Sequence, residues 1–281
     1  MKPGRDENAI ENCIEPKYIS KLFESILKDF IIEDISKNID VGQFGGQSGM
    51  GTDHMLVSFL DRILYLLDRN PDKSAVLAMC FDWASAFDRQ DPTLAIQKFI
   101  QMGVRPSLVP LLASYLTDRK MTVKLKNEMS KTYPLVGGGP QGTLLGGIEY
   151  LVLSNDNADC VKPEDRFKYI DDLSLLEFVC LTGLLTEYNF LEHVPSDIAV
   201  DEKFLPVESI SAQKTLDAID NWSTEHLMQL NVKKCNYMVF SRSSEKFATR
   251  LQIGDKMIER VTVTKLQAGI AFGSQHRLSF S

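Results

Sequence analysis

Residues 75–82 read AVLAMCFD, an apolar run that ends at Asp82. A short continuous apolar run of this kind is typical of a strand buried on both faces. Residues 167–176 read FKYIDDLSLL, which predicts a hairpin whose turn holds Asp171 and Asp172. Burial of a carboxylate is costly unless the group is paired or binds a cation. Acids that emerge from two apolar strands therefore indicate a metal site.

Carboxylate oxygens are ligands that suit Mg²⁺ or Mn²⁺. If the two strands are neighbours in a sheet, Asp82 and Asp171 would hold two ions about 4 Å apart, the arrangement that assists phosphoryl transfer. Strict alternation places Tyr169 and Asp171 on one face of the hairpin and turns Ile170 toward the core. Taken singly, however, an aspartate at a strand end is more often a turn or cap residue.

Helical periodicity predicts amphipathic helices over residues 19–31 and 56–67. The glycine-rich stretch between them, residues 41–51, has no GK[ST] ending, and we interpret it as a flexible loop. A further helix is expected to begin at Asp91 and Pro92 and to end near Gly103.

Farther along the chain, the pattern predicts four more elements. They are a strand over residues 121–125 that pairs across a turn at Asn127 with the segment ending at Val136, a helix over 144–151, a helix over 216–230 and a strand over 237–240.

The composition is that of a globular protein, because 281 residues with 44% hydrophobic content can bury a sizeable core in one large or two modest domains. The five cysteines are widely spaced without a CxxC pair, which indicates neither a disulfide framework nor a zinc site. The N-terminus lacks the apolar region of a signal peptide, and no apolar run is long enough to span a bilayer. We therefore expect an intracellular, soluble, non-secreted protein without a membrane partner.

The net charge of −7 argues mildly against a nucleic-acid partner, but its distribution is uneven. Residues 156–225 contain 16 acidic and 5 basic residues, whereas residues 233–277 contain 3 acidic and 9 basic residues. The basic stretch is either a surface for a nucleic-acid backbone or an ordinary solvated face.

Five motifs follow one another along the chain: QFG at 43–45, FDWASAFD at 81–88, PQGT at 140–143, YIDD at 169–172, and a helix-to-strand segment from Trp222 to Phe240. In this order they resemble the reverse transcriptase family, most closely the enzymes of non-LTR retrotransposons. The resemblance covers roughly residues 23–265. A YxDD motif alone is common by chance, but the ordered set is not.

The resemblance implies catalytic and metal-binding roles for Asp82, Asp171 and Asp172, with two Mg²⁺ or Mn²⁺ ions. It implies a substrate-binding role for Phe87, Gln141, Gly142, Tyr169 and Lys234. The ring of Phe87, five residues after Asp82, would pack under the incoming sugar and exclude a ribose 2′-hydroxyl. That position favours deoxynucleotides, although from the sequence alone a core phenylalanine is an equal alternative.

The fold expected from the resemblance is α+β, a right-hand polymerase palm with a small antiparallel sheet, partial fingers and a thumb stub. Residues 1–70 would form partial fingers, 71–250 the palm with the catalytic motifs, and 251–281 a truncated start of the thumb. The implied activity is RNA-directed DNA polymerisation, with an RNA or DNA template, a primer and dNTPs as partners. Such polymerases act in the cytoplasm or nucleus.

Three departures from the family pattern accompany the resemblance. Gly139 replaces a bulky apolar residue before PQG, and residues 145–147 read LGG where a Ser/Gly-Pro pair is common. The usual basic fingers segment is replaced by residues 12–19, NCIEPKYI. These differences predict a fragment or a decayed copy of a mobile-element protein, with little to grip a template.

Two alternatives remain at this point. An RNA-dependent RNA polymerase shares the palm, but usually has aspartate where Phe87 stands and an asparagine-bearing helix near Gln141. A catalytically silent, reverse-transcriptase-derived nucleic-acid-binding protein would retain the fold, and it would not need to bind Mg²⁺ at Asp82, Asp171 and Asp172.

Overall fold

The structure is a computed structural model that describes residues 18–69, 74–125, 128–140, 142–180, 204–206, 210–242, 246–248, 251–266 and 270–273. The described residues form two compact units. The first unit takes its residues from Met1–Ile39 and Phe87–Ser154, and the second from Asp40–Ala86 and Asn155–Ser281.

The second unit is built on a five-stranded sheet. In spatial order its strands are β13 (Glu259–Arg260), β9 (Asn236–Phe240), β1 (Ser74–Phe81), β7 (Asp172–Cys180) and β6 (Arg166–Tyr169). All neighbours are antiparallel except β13 and β9, which run parallel. The predicted small sheet that joins the two apolar strands is confirmed.

Strand β1 lies at the centre of this sheet, and residues 74–79 are all buried. Helix α2 (Thr52–Asp68) covers one face, where its apolar side chains pack with those of the sheet. The ring of Phe59 meets the edge of Phe167 at 5.2 Å between ring centroids. Burial on both faces explains why the strand has no polar alternation.

The first unit is mainly helical. Its helices are α1 (Tyr18–Ile35), α3 (Pro92–Gln101), α4 (Val109–Leu116) and α5 (Leu144–Leu153), and they share one apolar core. Helix α3 begins as predicted, because the Asp91 side chain accepts hydrogen bonds from the amides of Thr93 and Leu94 at 2.8 and 2.9 Å.

A two-stranded ribbon also belongs to this unit. Its segments are β2 (Lys120–Met121), β3 (Lys124–Leu125), β4 (Glu128–Met129) and β5 (Tyr133–Pro134). Strand β2 pairs with β5 and β3 pairs with β4, both antiparallel. The predicted pairing across this turn is confirmed, while Asn127 itself lies outside the described residues.

The remaining elements belong to the second unit. The helix is α6 (Ile210–Glu225). One strand pair is parallel, β8 (Phe204–Pro206) with β10 (Lys246–Ala248). Two strand pairs are antiparallel, β11 (Gln252–Ile253) with β12 (Lys256–Met257) and β14 (Val263–Leu266) with β15 (Ile270–Gly273). Helix α6 ends before Leu227, whose φ is +58°, so it begins and ends earlier in the chain than predicted. Among the described helices, none has the length and apolarity needed to cross a membrane.

Candidate active site

Asp82 lies directly after β1, where the chain leaves the sheet. Its carbonyl accepts a hydrogen bond from the amide of Asn231 at 2.8 Å and lies 3.9 Å from the Sγ of Cys235. The next residue, Trp83, forms a β-bridge with Leu230. Because these contacts join the end of a buried strand to the segment after α6, the backbone of Asp82 has a fixed position.

Asp171 and Asp172 lie at the tip of the β6–β7 hairpin, but the predicted turn was wrong by one residue. Tyr169 pairs directly with Asp172, so the turn consists of Ile170 and Asp171, and Asp172 begins β7. Ile170 has φ +57°, the left-handed conformation that tight two-residue hairpin turns require.

The predicted distribution of side chains over the faces of this hairpin was also wrong. Residues directly opposite each other in a ladder share a face, so Tyr169 shares its face with Asp172 rather than with Asp171. Ile170 is 41% exposed instead of turning toward the core. The physical reason is that strict alternation ends where the turn begins.

The sheet register brings Asp82 and Asp172 together. Phe81 pairs with Leu173, and the next position outward sets Asp82 opposite Asp172. Burial raises the pKa of Asp172 to about 7, and the Asp171 and Asp82 carboxylates add to this rise while Lys234 opposes it. The Oδ2 atom of Asp172 is buried and makes no hydrogen bond to any described residue. This cluster therefore favours a bound cation.

Lys234 contributes a positive charge beside these acids. Its Nζ lies 3.4 Å from Oδ2 of Asp82, with the lysine side chain 67% exposed and the aspartate side chain 30% exposed. Within the described ranges, that Oδ2 atom has no hydrogen-bond partner. Exposed ion pairs contribute only about 0–1 kcal/mol, so Lys234 can turn from Asp82 to another anion at little cost.

The glycine-rich stretch pairs with the strand that leads into the turn at Ile170 and Asp171. Lys168 donates its amide to the carbonyl of Gly42 and accepts from the amide of Phe44, both at 2.8 Å. A Cβ on Gly45 would lie 2.5 Å from the amide nitrogen of Ile170. The prediction of a flexible loop is therefore wrong for residues 42–45, which support the turn.

A buried ion pair beneath this loop was not found from the sequence. The Nζ of Lys168 lies 2.5 Å from Oδ2 of Asp40, and both side chains are 2% exposed. The Nε of Arg166 lies 2.9 Å from the other oxygen of Asp40. One signal was present, since Lys168 stands between Phe167 and Tyr169 in a strand predicted to be apolar.

The other predicted substrate-binding residues belong to the first unit. The ring of Phe87 is half-buried and packs against Tyr150, with 5.3 Å between ring centroids. Gly142 is exposed and has φ +76°. Gln141 lies outside the described residues. The structure thus brings the three acids, Tyr169 and Lys234 together in one unit and places Phe87 and Gly142 in the other.

A buried polar pair adjoins the segment before PQG and was also missed. Gln90 and Glu149 are each 1% exposed, and their side-chain polar atoms make no hydrogen bond within the described part of the chain. A Cβ on Gly139 would lie 1.9 Å from Oε1 of Gln90 and 3.1 Å from Oε2 of Glu149. A Cβ at residue 139 would therefore displace the side chain of Gln90. Burial raises the pKa of Glu149 to about 7, which Arg119 partly opposes.

The donor set of the second unit suits a divalent cation in its chemistry. Asp82 and Asp172 lie at the same end of the sheet, and each has a buried carboxylate oxygen that makes no hydrogen bond to the described residues. As the side chains stand, no group of three or more His, Cys, Asp or Glu residues in the described ranges is arranged to hold a metal. Paired acids at adjoining strand ends of a small antiparallel sheet define a polymerase-type palm.

Comparison with known sequences gives the same class. No model of a protein family matches this chain. It is similar to the RNA-directed DNA polymerase from mobile element jockey of Drosophila melanogaster, with 22% identity over 79% of this chain and 22% of the relative. The jockey polymerase of Drosophila funebris is 25% identical over 86% of this chain and 25% of the relative.

A third relative is the probable RNA-directed DNA polymerase from transposon BS of Drosophila melanogaster, with 29% identity over 62% of this chain and 20% of the relative. The predicted resemblance to polymerases of non-LTR retrotransposons is therefore confirmed. The chain spans about a quarter or less of the length of these relatives.

Solved structures confirm the fold. A telomerase from Candida tropicalis in complex with a fragment of telomeric RNA matches with a TM-score of 0.50 and 12% identity, over 79% of this chain and 34% of that one. An apo telomerase from the same species, truncated from its C-terminal domain, matches with a TM-score of 0.50 and 11% identity, over 86% of this chain and 43% of that one. The predicted α+β polymerase fold is thus confirmed.

Proposed function

We propose that this chain carries the catalytic palm of an RNA-directed DNA polymerase that adds dNTPs to a primer 3′-hydroxyl. The observation that carries the proposal is the position of Asp82 opposite Asp172 at the end of a buried sheet, where Asp171 and Asp82 help raise the pKa of Asp172. The similarity to jockey-type polymerases supports the same activity.

In this proposal Asp82, Asp171 and Asp172 hold two Mg²⁺ or Mn²⁺ ions. When bound, such ions supply charge neutralisation and a more acidic primer hydroxyl. The primer 3′-hydroxyl loses its proton to solvent water as its oxygen forms a bond to the α-phosphorus of the dNTP, and the bond from that phosphorus to pyrophosphate breaks. Lys234, whose Nζ is exposed at the edge of the acids, donates a hydrogen bond to the departing phosphates or a proton to the leaving oxygen.

Phe87, Gln141, Gly142 and Tyr169 are proposed to contact the incoming nucleotide, with the Phe87 ring excluding the ribose 2′-hydroxyl. Residues 1–70, 71–250 and 251–281 are proposed as partial fingers, palm and the start of a thumb. The proposed partners are a primed RNA or DNA template and dNTPs. The proposed place of action is the cytoplasm or nucleus.

Primer extension on an RNA template tests the proposal, with purified protein, dNTPs and either Mg²⁺ or Mn²⁺. We expect extension that EDTA stops and that falls by at least about 1,000-fold in Asp82→Asn and Asp172→Asn. Asp61→Asn on the exposed face of α2 is the matched control and should keep full activity. Failure of folded protein to extend a primer with either metal would overturn the proposed activity.

A catalytically silent nucleic-acid-binding protein is the second candidate. The observation in its favour is that the described acids do not converge on a metal site as they stand. Binding of Mn²⁺ measured by electron paramagnetic resonance separates the two candidates. Saturable binding that is lost in Asp172→Asn supports the enzyme, and the same weak binding in both proteins supports the silent module.

A further inference from the structure

One face of the ribbon formed by β2–β5 is exposed and carries positive charge. Along the segment that contains β2 and β3, Lys120, Thr122 and Lys124 are exposed, whereas Met121 and Val123 between them are half-buried. This alternation indicates that the two lysines and the threonine share the solvent side of the ribbon. Alternate residues on a strand are about 7 Å apart, which is comparable with the separation of successive phosphates along a polynucleotide.

The returning strand completes this face without adding a carboxylate to it. Pro134 lies opposite Lys120, and Met129 lies opposite Lys124. The Oγ1 atoms of Thr122 and Thr132 are 3.1 Å apart, so these two hydroxyls share the face. We define the ribbon face as Lys120, Thr122, Lys124, Met129, Thr132 and Pro134, all of which are exposed.

The two acids nearest to this face differ in their positions. Glu128 pairs with Leu125 and so belongs to the opposite side of the ribbon. Asp118 precedes β2 and lines the same concavity as Lys120 and Pro134, so it adjoins the β2 end of the face. The whole chain has a net charge of −7, so six exposed residues that include two lysines and no acid differ from the average surface of this protein.

The base of the ribbon is fixed to the segment that leads into PQG. The amide of Leu135 donates to the carbonyl of Arg119 at 2.8 Å, and the Arg119 guanidinium donates to the carbonyl of Gly138. The amides of Gly138 and Gly139 donate to the carbonyls of Gln90 and Phe87 at 2.8 and 2.7 Å. An anchored ribbon presents its lysines in a fixed row, which reduces the entropy lost on binding.

We propose that the ribbon face binds the phosphodiester backbone of the template–primer nucleic acid, independently of base sequence. Lysine ammonium groups and threonine hydroxyls are typical phosphate contacts, and they carry no base readout. The choice of the template–primer nucleic acid as the partner rests on the proposed polymerase function. The binding itself requires neither the metal site nor the dNTP.

The test measures binding of a fluorescent RNA–DNA primer–template by anisotropy, in EDTA and without dNTPs, over a series of KCl concentrations. We compare the wild type with Lys120→Gln/Lys124→Gln and with a matched control, Lys214→Gln/Lys256→Gln. The control removes the same charge from exposed positions on α6 and β12. An acidic peptide of equal charge serves as the alternative ligand.

The ribbon variant should bind more weakly, and its slope of log affinity against log salt should be shallower by about 1.4–1.8, the value for two lost phosphate contacts. The control should keep the wild-type slope. Thr122→Val/Thr132→Val should weaken binding without changing the slope. An unchanged slope in the lysine variant, an equal loss in the control, or tighter binding of the acidic peptide would each overturn the proposal.

Because metal and dNTP are absent, this experiment separates the two proposals. Binding that depends on the ribbon lysines in a protein that never extends a primer would overturn the polymerase proposal alone. Extension without any dependence of binding on Lys120 and Lys124 would overturn the ribbon proposal alone.

Discussion

Asp40 and Lys168 form a buried ion pair, 2.5 Å from Oδ2 to Nζ, and Lys168 belongs to β6, the strand that leads into the turn at Ile170 and Asp171. Burial lowers the pKa of Lys168, and the Asp40 carboxylate counteracts that shift. The lysine also donates to the carbonyl of Asn155 at 2.7 Å. The pair therefore ties β6 to the loop that begins at Asp40.

Replacing Lys168 by methionine should destabilise the protein strongly, because Asp40 loses a buried partner. Removal of one member of a buried pair costs about 3–5 kcal/mol. Urea unfolding followed by circular dichroism measures this loss. The double variant Asp40→Asn/Lys168→Met removes both charges of the pair, while Arg166 keeps Asp159 as a partner at 2.8 Å, and it should lose clearly less. Equal losses in both variants would show that the ion pair does not stabilise the fold.

Gly45→Ala should displace the turn at Ile170 and Asp171. The added Cβ would lie 2.5 Å from the amide nitrogen of Ile170 and 2.9 Å from the Cγ1 of its side chain. The backbone of Ile170 cannot easily move away from this Cβ. We expect weaker Mn²⁺ binding and slower primer extension.

Gly147→Ala is the matched control for this change. Gly147 lies in α5, and a Cβ there would meet nothing within 4 Å. Alanine should stabilise the helix by about 0.5–1 kcal/mol, with metal binding unchanged. Equal metal binding in Gly45→Ala and the wild type would contradict the role assigned to residues 42–45.

The sequence predicted the strands and acids that define the site, because a doubly buried strand and a YxDD hairpin leave strong local patterns. It failed where the structure depends on partners distant in the chain. The position of Asp172 opposite Asp82 follows from the β1–β7 register, which no local pattern encodes. The Asp40–Lys168 pair joins residues 128 positions apart in the sequence, and single-sequence periodicity cannot detect such a pairing.

Glu149 should make stability fall as the pH rises. Burial raises its pKa from 4.5 to about 7, so between these values the folded state binds more protons than the unfolded state. Unfolding free energy therefore decreases with pH across that window and levels off above it. The full effect is on the order of 3 kcal/mol, because each pKa unit corresponds to about 1.36 kcal/mol.

Glu149→Gln removes this titration while preserving the shape of the side chain. The difference in unfolding free energy between variant and wild type should be small at pH 4 and should grow in favour of the variant up to pH 8. Urea unfolding at several pH values gives this difference directly, and other titrating groups cancel from it. A difference that stays constant with pH would show that Glu149 does not titrate in the folded protein over this range.

Asp172→Asn should abolish primer extension and yet raise the melting temperature in the absence of metal. Burial and the neighbouring Asp171 and Asp82 carboxylates raise the pKa of Asp172 to about 7, so its ionised form is unfavourable in the folded state. Asparagine removes that charge at similar volume. Since repulsion grows as Asp172 ionises, the gain in melting temperature should be larger at pH 8 than at pH 5.

Mg²⁺ should raise the melting temperature of the wild type more than that of Asp172→Asn, because ligand binding stabilises only the form that binds it. Thermal unfolding with EDTA and with Mg²⁺ at both pH values measures all of these effects. If the Asp172→Asn protein melted below the wild type in EDTA, it would contradict the prediction that ionised Asp172 destabilises the folded protein when no metal is bound.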